Sequence, residues 1–143
     1  MSAKSKGDAA ERQVSSVLKS KGYLVMDSPR TMKRVFIHGR MVFVSQANDY
    51  FSYFDHCCKK GIETLWVQTK FKSSCNVSSA KKGIAEFAEN YCSESEKCQI
   101  WLKVPRRGFV CYDYEPGIAV WSKTFMNLKG GTCEQFKITT KKK

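Results

Sequence analysis

Residues 48–72, NDYFSYFDHCCKKGIETLWVQTKFK, constrain this chain more than any other stretch. They read as two strand-like runs, 50–54 and 65–71, around the basic turn Lys59-Lys60-Gly61. Both runs are rich in β-branched and aromatic residues, which suit a pleated, half-buried surface. Side chains of a strand alternate faces, so Trp66, Gln68 and Lys70 point one way and Leu65, Val67, Thr69 and Phe71 the other. One carboxylate, Asp49, stands at the mouth of the first run. An acid, then an oxygen ligand and a lysine two residues apart on one face, can bind a divalent ion and activate water. On this stretch alone, Gln68 and Lys70 also read as a solvent-facing pair on an edge strand.

The flanking chain supplies elements for a single α/β domain. A basic leader over 1–7 precedes a helix over 8–21, whose apolar arc is Ala10, Val14, Val17 and Leu18 and whose stop signal is Gly22. Glu11 falls at the edge of that arc, and on periodicity it is an ordinary first-turn glutamate favoured by the helix dipole. A short strand follows at 23–26, then a strand pair at 34–37 and 41–44 around His38-Gly39-Arg40. After the central pair, a polar loop at 72–79 offers Ser78 or Ser79 to cap a helix over 80–92. A hairpin at 99–104 and 109–112 closes the core, and a further apolar run at 118–121 lies in the tail. This order predicts a mixed central sheet flanked by helices, in one domain with its core at 8–112 and an extension at 115–143.

Charge narrows the partners. Twenty-five Lys and Arg against 13 Asp and Glu give a formal net charge of +12, more than solubility requires. Between Asp27 and Asp49 stand Arg30, Lys33, Arg34 and Arg40 with no acid. Such an excess suits a polyanion, with nucleic acid ahead of a membrane surface because no basic amphipathic helix is legible. No run approaches bilayer length, and the first residues lack the apolar core of a signal peptide, so the expectation is an intracellular, cytoplasmic chain. The 7 cysteines form no CxxC pair and, with His38 and His56, no finger spacing, which predicts buried thiols rather than a zinc site.

Glu11 on the first helix, Asp49 before a strand and Gln68-Thr69-Lys70 on the next resemble the PD-(D/E)xK nuclease superfamily. Within it, Lys6-Gly7-Asp8-Ala9-Ala10-Glu11-Arg12, then Gly22-Tyr23-Leu24-Val25 and Ser28-Pro29, are similar to the opening of archaeal Holliday-junction resolvases. The likeness covers residues 4–112. Asn48 stands where the motif has proline and Gln68 where it has its second acid, and residues 31–44 are extra chain.

The resemblance implies a restriction-endonuclease-like core and Mg²⁺-dependent hydrolysis of DNA, with Mn²⁺ able to substitute. It implies Glu11, Asp49, Gln68 and Lys70 as catalytic residues. Asp49, Gln68, the Thr69 carbonyl and Glu11 would serve as metal ligands, and Lys70 would orient water or offset charge at phosphorus. It implies phosphate contacts from Ser28, Arg30, Lys33, Arg34, Lys72, Lys81 and Lys82, and a homodimer acting on four-way junctions in recombination or repair. Two other expectations stand beside it: a restriction, homing or transposition-type nuclease, and a non-catalytic nucleic-acid binder in which Gln68 marks a decayed site.

Overall fold

The computed structural model describes residues 3–71, 77–116, 118–129 and 131. In chain order the elements are α1 (Ala3–Ser20), β1 (Leu24–Asp27), β2 (Arg30–Ile37), β3 (Arg40–Ala47), β4 (His56–Lys60) and β5 (Glu63–Phe71). They continue as α2 (Val77–Tyr91), β6 (Glu96–Val104), β7 (Gly108–Glu115) and β8 (Val120–Met126). Six strands form one mixed sheet in the order β1-β4-β5-β6-β7-β8. Only β5 and β6 run parallel, joined through α2, and every other neighbouring pair is antiparallel. Among the described residues, no helix is long and apolar enough to cross a membrane.

Alternation on β5 assigns one helix to each face of the sheet. Leu65 and Val67 pack with Val14, Val17 and Leu18 of α1. Trp66, from the other parity, packs with Ile84 and Ala88 of α2, together with Cys98 and Ile100 of β6. The result is a three-layer α/β/α arrangement with β5 in the middle. Each fully buried Val, Leu or Ile contributes about 1.5–3 kcal/mol of hydrophobic stabilisation, and the apolar arc of α1 is buried throughout.

Four expectations change. The leader is helical from Ala3 onward, because α1 begins there rather than at Asp8. Ser78 and Ser79 lie inside α2, which starts at Val77. The run 50–54 is a turn instead of a strand: Phe51 and Ser52 adopt positive φ (52° and 66°), and Tyr50 bridges back to Phe54. Its aromatic residues have strand propensity, but packing overrides it, with Phe54 fully buried against Trp66 and Phe87. Gly83 of α2 permits this approach, since a Cβ there would stand 2.7 Å from the Tyr53 ring. Finally, the tail returns to the sheet, where β8 pairs with β7 along Val120–Met126 and carries Met126 into the core.

Strands β2 and β3 stand apart as a two-stranded ribbon. Ile37 pairs with Arg40 across a two-residue turn in which His38 and Gly39 both have positive φ (52° and 75°), the conformation that matches the twist of a hairpin. Its root is tied down by Asn48, whose N–H donates to the Pro29 carbonyl (2.8 Å) and whose Nδ2 donates to Thr31 Oγ1 (3.1 Å).

Candidate functional site

The end of β1, the loop before β4 and the first turns of α1 enclose a cleft of about 330 Å³. Asp8, Glu11, Asp27, Arg30, Asp55 and His56 are among its lining residues. Asp55 immediately precedes β4 and is buried. Its N–H donates to the Val67 carbonyl (2.9 Å), and its Oδ2 accepts the Thr69 N–H (2.7 Å). The pairing of His56 with Val67, extended by one residue, sets Asp55 across from Gln68. Burial and a hydrogen bond with the Glu11 carboxyl hold the Asp55 pKa well above the usual carboxylate range. The Thr69 N–H opposes that shift, and the charges of Glu11 and Asp49 add to it.

His56 is the second buried polar group here, at 1% exposure. Its Nδ1 lies 2.8 Å from Asp27 Oδ1 and its Nε2 3.1 Å from Thr69 Oγ1. With Nδ1 donating to the carboxylate, Nε2 of the neutral ring accepts the Thr69 hydroxyl. Both nitrogens are therefore engaged in fixing β1 to β5 across β4.

Of the expected site residues, the fold brings Glu11 to the cleft, where its Oε2 accepts from Arg30 at 2.9 Å; Asp8 Oδ1 accepts from the same Arg30 nitrogen, also at 2.9 Å. Arg30, expected on phosphates, is thus committed to two carboxylates. Asp49 lies in the loop, its Oδ1 accepting from Ser28 Oγ at 3.3 Å, and Asp55 holds the position beside the strand instead. Gln68 is 9% exposed on a central strand, so it is not half of a solvent-facing edge pair. Its Oε1 is buried with no hydrogen-bond partner among the described residues. Lys70 follows on the same face, half-buried, with no ion pair or hydrogen bond to its ammonium among the described residues.

The other basic residues divide. Lys33 and Arg34 are exposed on the β2–β3 ribbon, and Lys82 is exposed on α2. Lys81 lies over the Tyr112 ring at 4.2 Å, where burial and the charge of Lys123 lower its pKa. Lys72 lies outside the described residues. The described cysteines Cys57, Cys58, Cys92, Cys98 and Cys111 are all free thiols. Burial pushes Cys58 up to about 12, too high for a reactive thiolate.

Sequence reasoning missed Asp8, Asp27, Asp55 and His56. For Asp55 a signal existed: counting back from Gly61 at the β4–β5 turn sets it opposite Gln68, whereas Asp49 falls beyond the ladder.

Among the described residues, no three or more His, Cys, Asp or Glu side chains are disposed to hold a metal ion. The oxygen set that fits a hard cation is smaller: the Glu11 and Asp55 carboxyls of the cleft, whereas Gln68 and Lys70 share the parity of Trp66, which faces α2, and are not among the cleft's lining residues. Mg²⁺ is commonly held by one or two carboxylates while it keeps several waters. A cation there would relieve the proton-seeking Asp55. Fold and cleft together define a mixed α/β domain with an acid-lined pocket at the end of its central strands. Compared with protein-family models, curated proteins and solved structures, the chain matches none.

Proposed function

We propose that this protein is a metal-dependent DNA endonuclease with a restriction-endonuclease-like core, centred on Asp55 and Glu11. The observation that carries this reading is the buried Asp55 carboxyl beside Glu11 in the acid-lined cleft. Asp55 and Glu11 supply negative charge for a divalent ion. Mg²⁺ bound there would lower the pKa of a coordinated water and offset charge on a phosphate oxygen. His56 takes no part in the chemistry; it holds Thr69, and through it the β5 backbone that binds Asp55.

The net charge of +12 supports a nucleic-acid substrate. A branched substrate and a homodimer follow from the resemblance to junction resolvases, and both belong to this proposal. Cleavage of a labelled four-way junction beside a linear duplex, with and without Mg²⁺, tests it. Equal cutting of both substrates would remove the junction preference and keep the nuclease.

A second reading, a nucleic-acid binder without catalysis, is favoured by one observation. The Arg30 guanidinium already neutralises Asp8 and Glu11 at 2.9 Å each. If that pairing is permanent, the chain will bind no Mg²⁺ by calorimetry, and Arg30→Gln will only destabilise it. If it exchanges, wild type will bind the ion and Arg30→Gln will bind it more tightly.

A further inference from the structure

The β2–β3 ribbon has a composition at odds with its setting. A two-stranded hairpin is at best marginally stable in water without a surface to pack on. This one makes only sparse contact with the other elements. Pairing of Arg34 with Phe43 and of Phe36 with Met41 gathers these four side chains on one face. Phe36 on that face is 77% exposed and Phe43 61%, far more than isolated apolar residues of a monomer need be. Lys33 and Arg40 lie on the opposite face, near the middle and the tip, and no acid occurs anywhere from Ser28 to Asn48.

We propose that this ribbon is a DNA-binding arm that lies along a groove and drives Phe36, near its tip, between base pairs as a wedge. The inference rests on the nucleic-acid reading of the positive charge and is independent of catalysis. Eight residues per strand at about 3.3 Å each give an arm of roughly 26 Å, and β-ribbons can lie in the minor groove, from which apolar wedges enter. Lys33, Arg34 and Arg40 supply charge complementary to the two phosphate walls, which selects DNA over a second copy of this equally basic chain. Apolar wedges partly unstack a base step and kink the duplex by about 20–90°. The first residue of the arm, Arg30, is ion-paired to Asp8 and Glu11, so DNA held by the arm runs past the acidic cleft.

The test uses the full chain in EDTA, which keeps it apart from any cleavage, with a short duplex labelled at both ends for energy transfer. Wild type should bind and raise the transfer as the duplex bends. Phe36→Ser should still bind through its phosphate contacts but lose that rise; at 77% exposure the side chain is not needed for folding, which a thermal melt verifies. Lys33→Ala/Arg34→Ala/Arg40→Ala should weaken binding and shrink the log–log salt slope by about 0.9 for each lost phosphate contact. Unchanged bending by Phe36→Ser would overturn the wedge. Unchanged affinity and slope in the triple variant would overturn the arm. Conversion of a dimer to a monomer by Phe36→Ser in sedimentation would make the ribbon an interface between copies instead. Absence of any DNA binding by wild type would remove the arm and the nucleic-acid reading together.

Discussion

Asp55 accepts the main-chain N–H of Thr69 at 2.7 Å, so a side-chain carboxylate completes the ladder between β4 and β5 where a backbone carbonyl would otherwise serve. The bond anchors one oxygen of a buried acid. It also fixes where that acid stands relative to Gln68, the residue preceding its partner. A carboxyl held by the sheet itself has little freedom to drift, which is what the proposed positioning of a metal ion or a water demands.

Asp55 makes stability depend on pH in a definite direction. Its folded pKa is raised, so the folded chain retains a proton that the unfolded chain has already released. Stability must therefore fall as pH rises from about 4, the unfolded aspartate value, through the folded one. Asp55→Asn, whose amide oxygen can still accept from Thr69, should flatten that part of the curve. Thermal melts of both proteins across pH check this, and coincident profiles would refute it.

His56→Ala should destabilise the fold by roughly 2–4 kcal/mol, because it strips partners from Asp27 and Thr69 and leaves a cavity among buried groups. Urea unfolding measures the loss. A change under 1 kcal/mol, on the order of an ordinary surface substitution, would show that the network does not hold β1 to β5.

Gln68→Glu should tighten Mg²⁺ binding, since it adds a negative charge at the ladder position across from Asp55. The added charge could also draw Lys70 into an ion pair, so the maximal rate is left free to move either way. Calorimetric titration of both proteins reads the affinity. No change in a folded variant would contradict that effect.

The mixed sheet with a helix on each face was legible because its signals are periodic. The arc Ala10, Val14, Val17 and Leu18 and the alternation of Leu65 and Val67 against Trp66 and Gln68 appear in the packing as read. Less legible was whatever depended on contacts distant in sequence. Aromatic residues at 50–54 look like a strand locally, and only α2, closing from residues 77–91, turns them into a buried corner. Strand β8, with the polar residues Ser122, Lys123 and Thr124 at its centre, has too little alternation to announce an edge strand. The exchange of Asp49 for Asp55 beside Gln68 is a matter of register, which the turn at Gly61 sets and composition does not express.

The central claim is that Asp55 anchors a metal-dependent nuclease, and cleavage of end-labelled DNA by wild type and Asp55→Asn, each titrated with Mg²⁺, tests it most directly. Wild type should cut only when the ion is present. Asp55→Asn, folded by circular dichroism and still binding DNA, should lose at least about 100-fold in rate, the loss that removal of even an outer-shell partner of a metal ligand can cause. Cleavage by Asp55→Asn at the wild-type rate, or no cleavage by wild type at any Mg²⁺ or Mn²⁺ concentration, would contradict it.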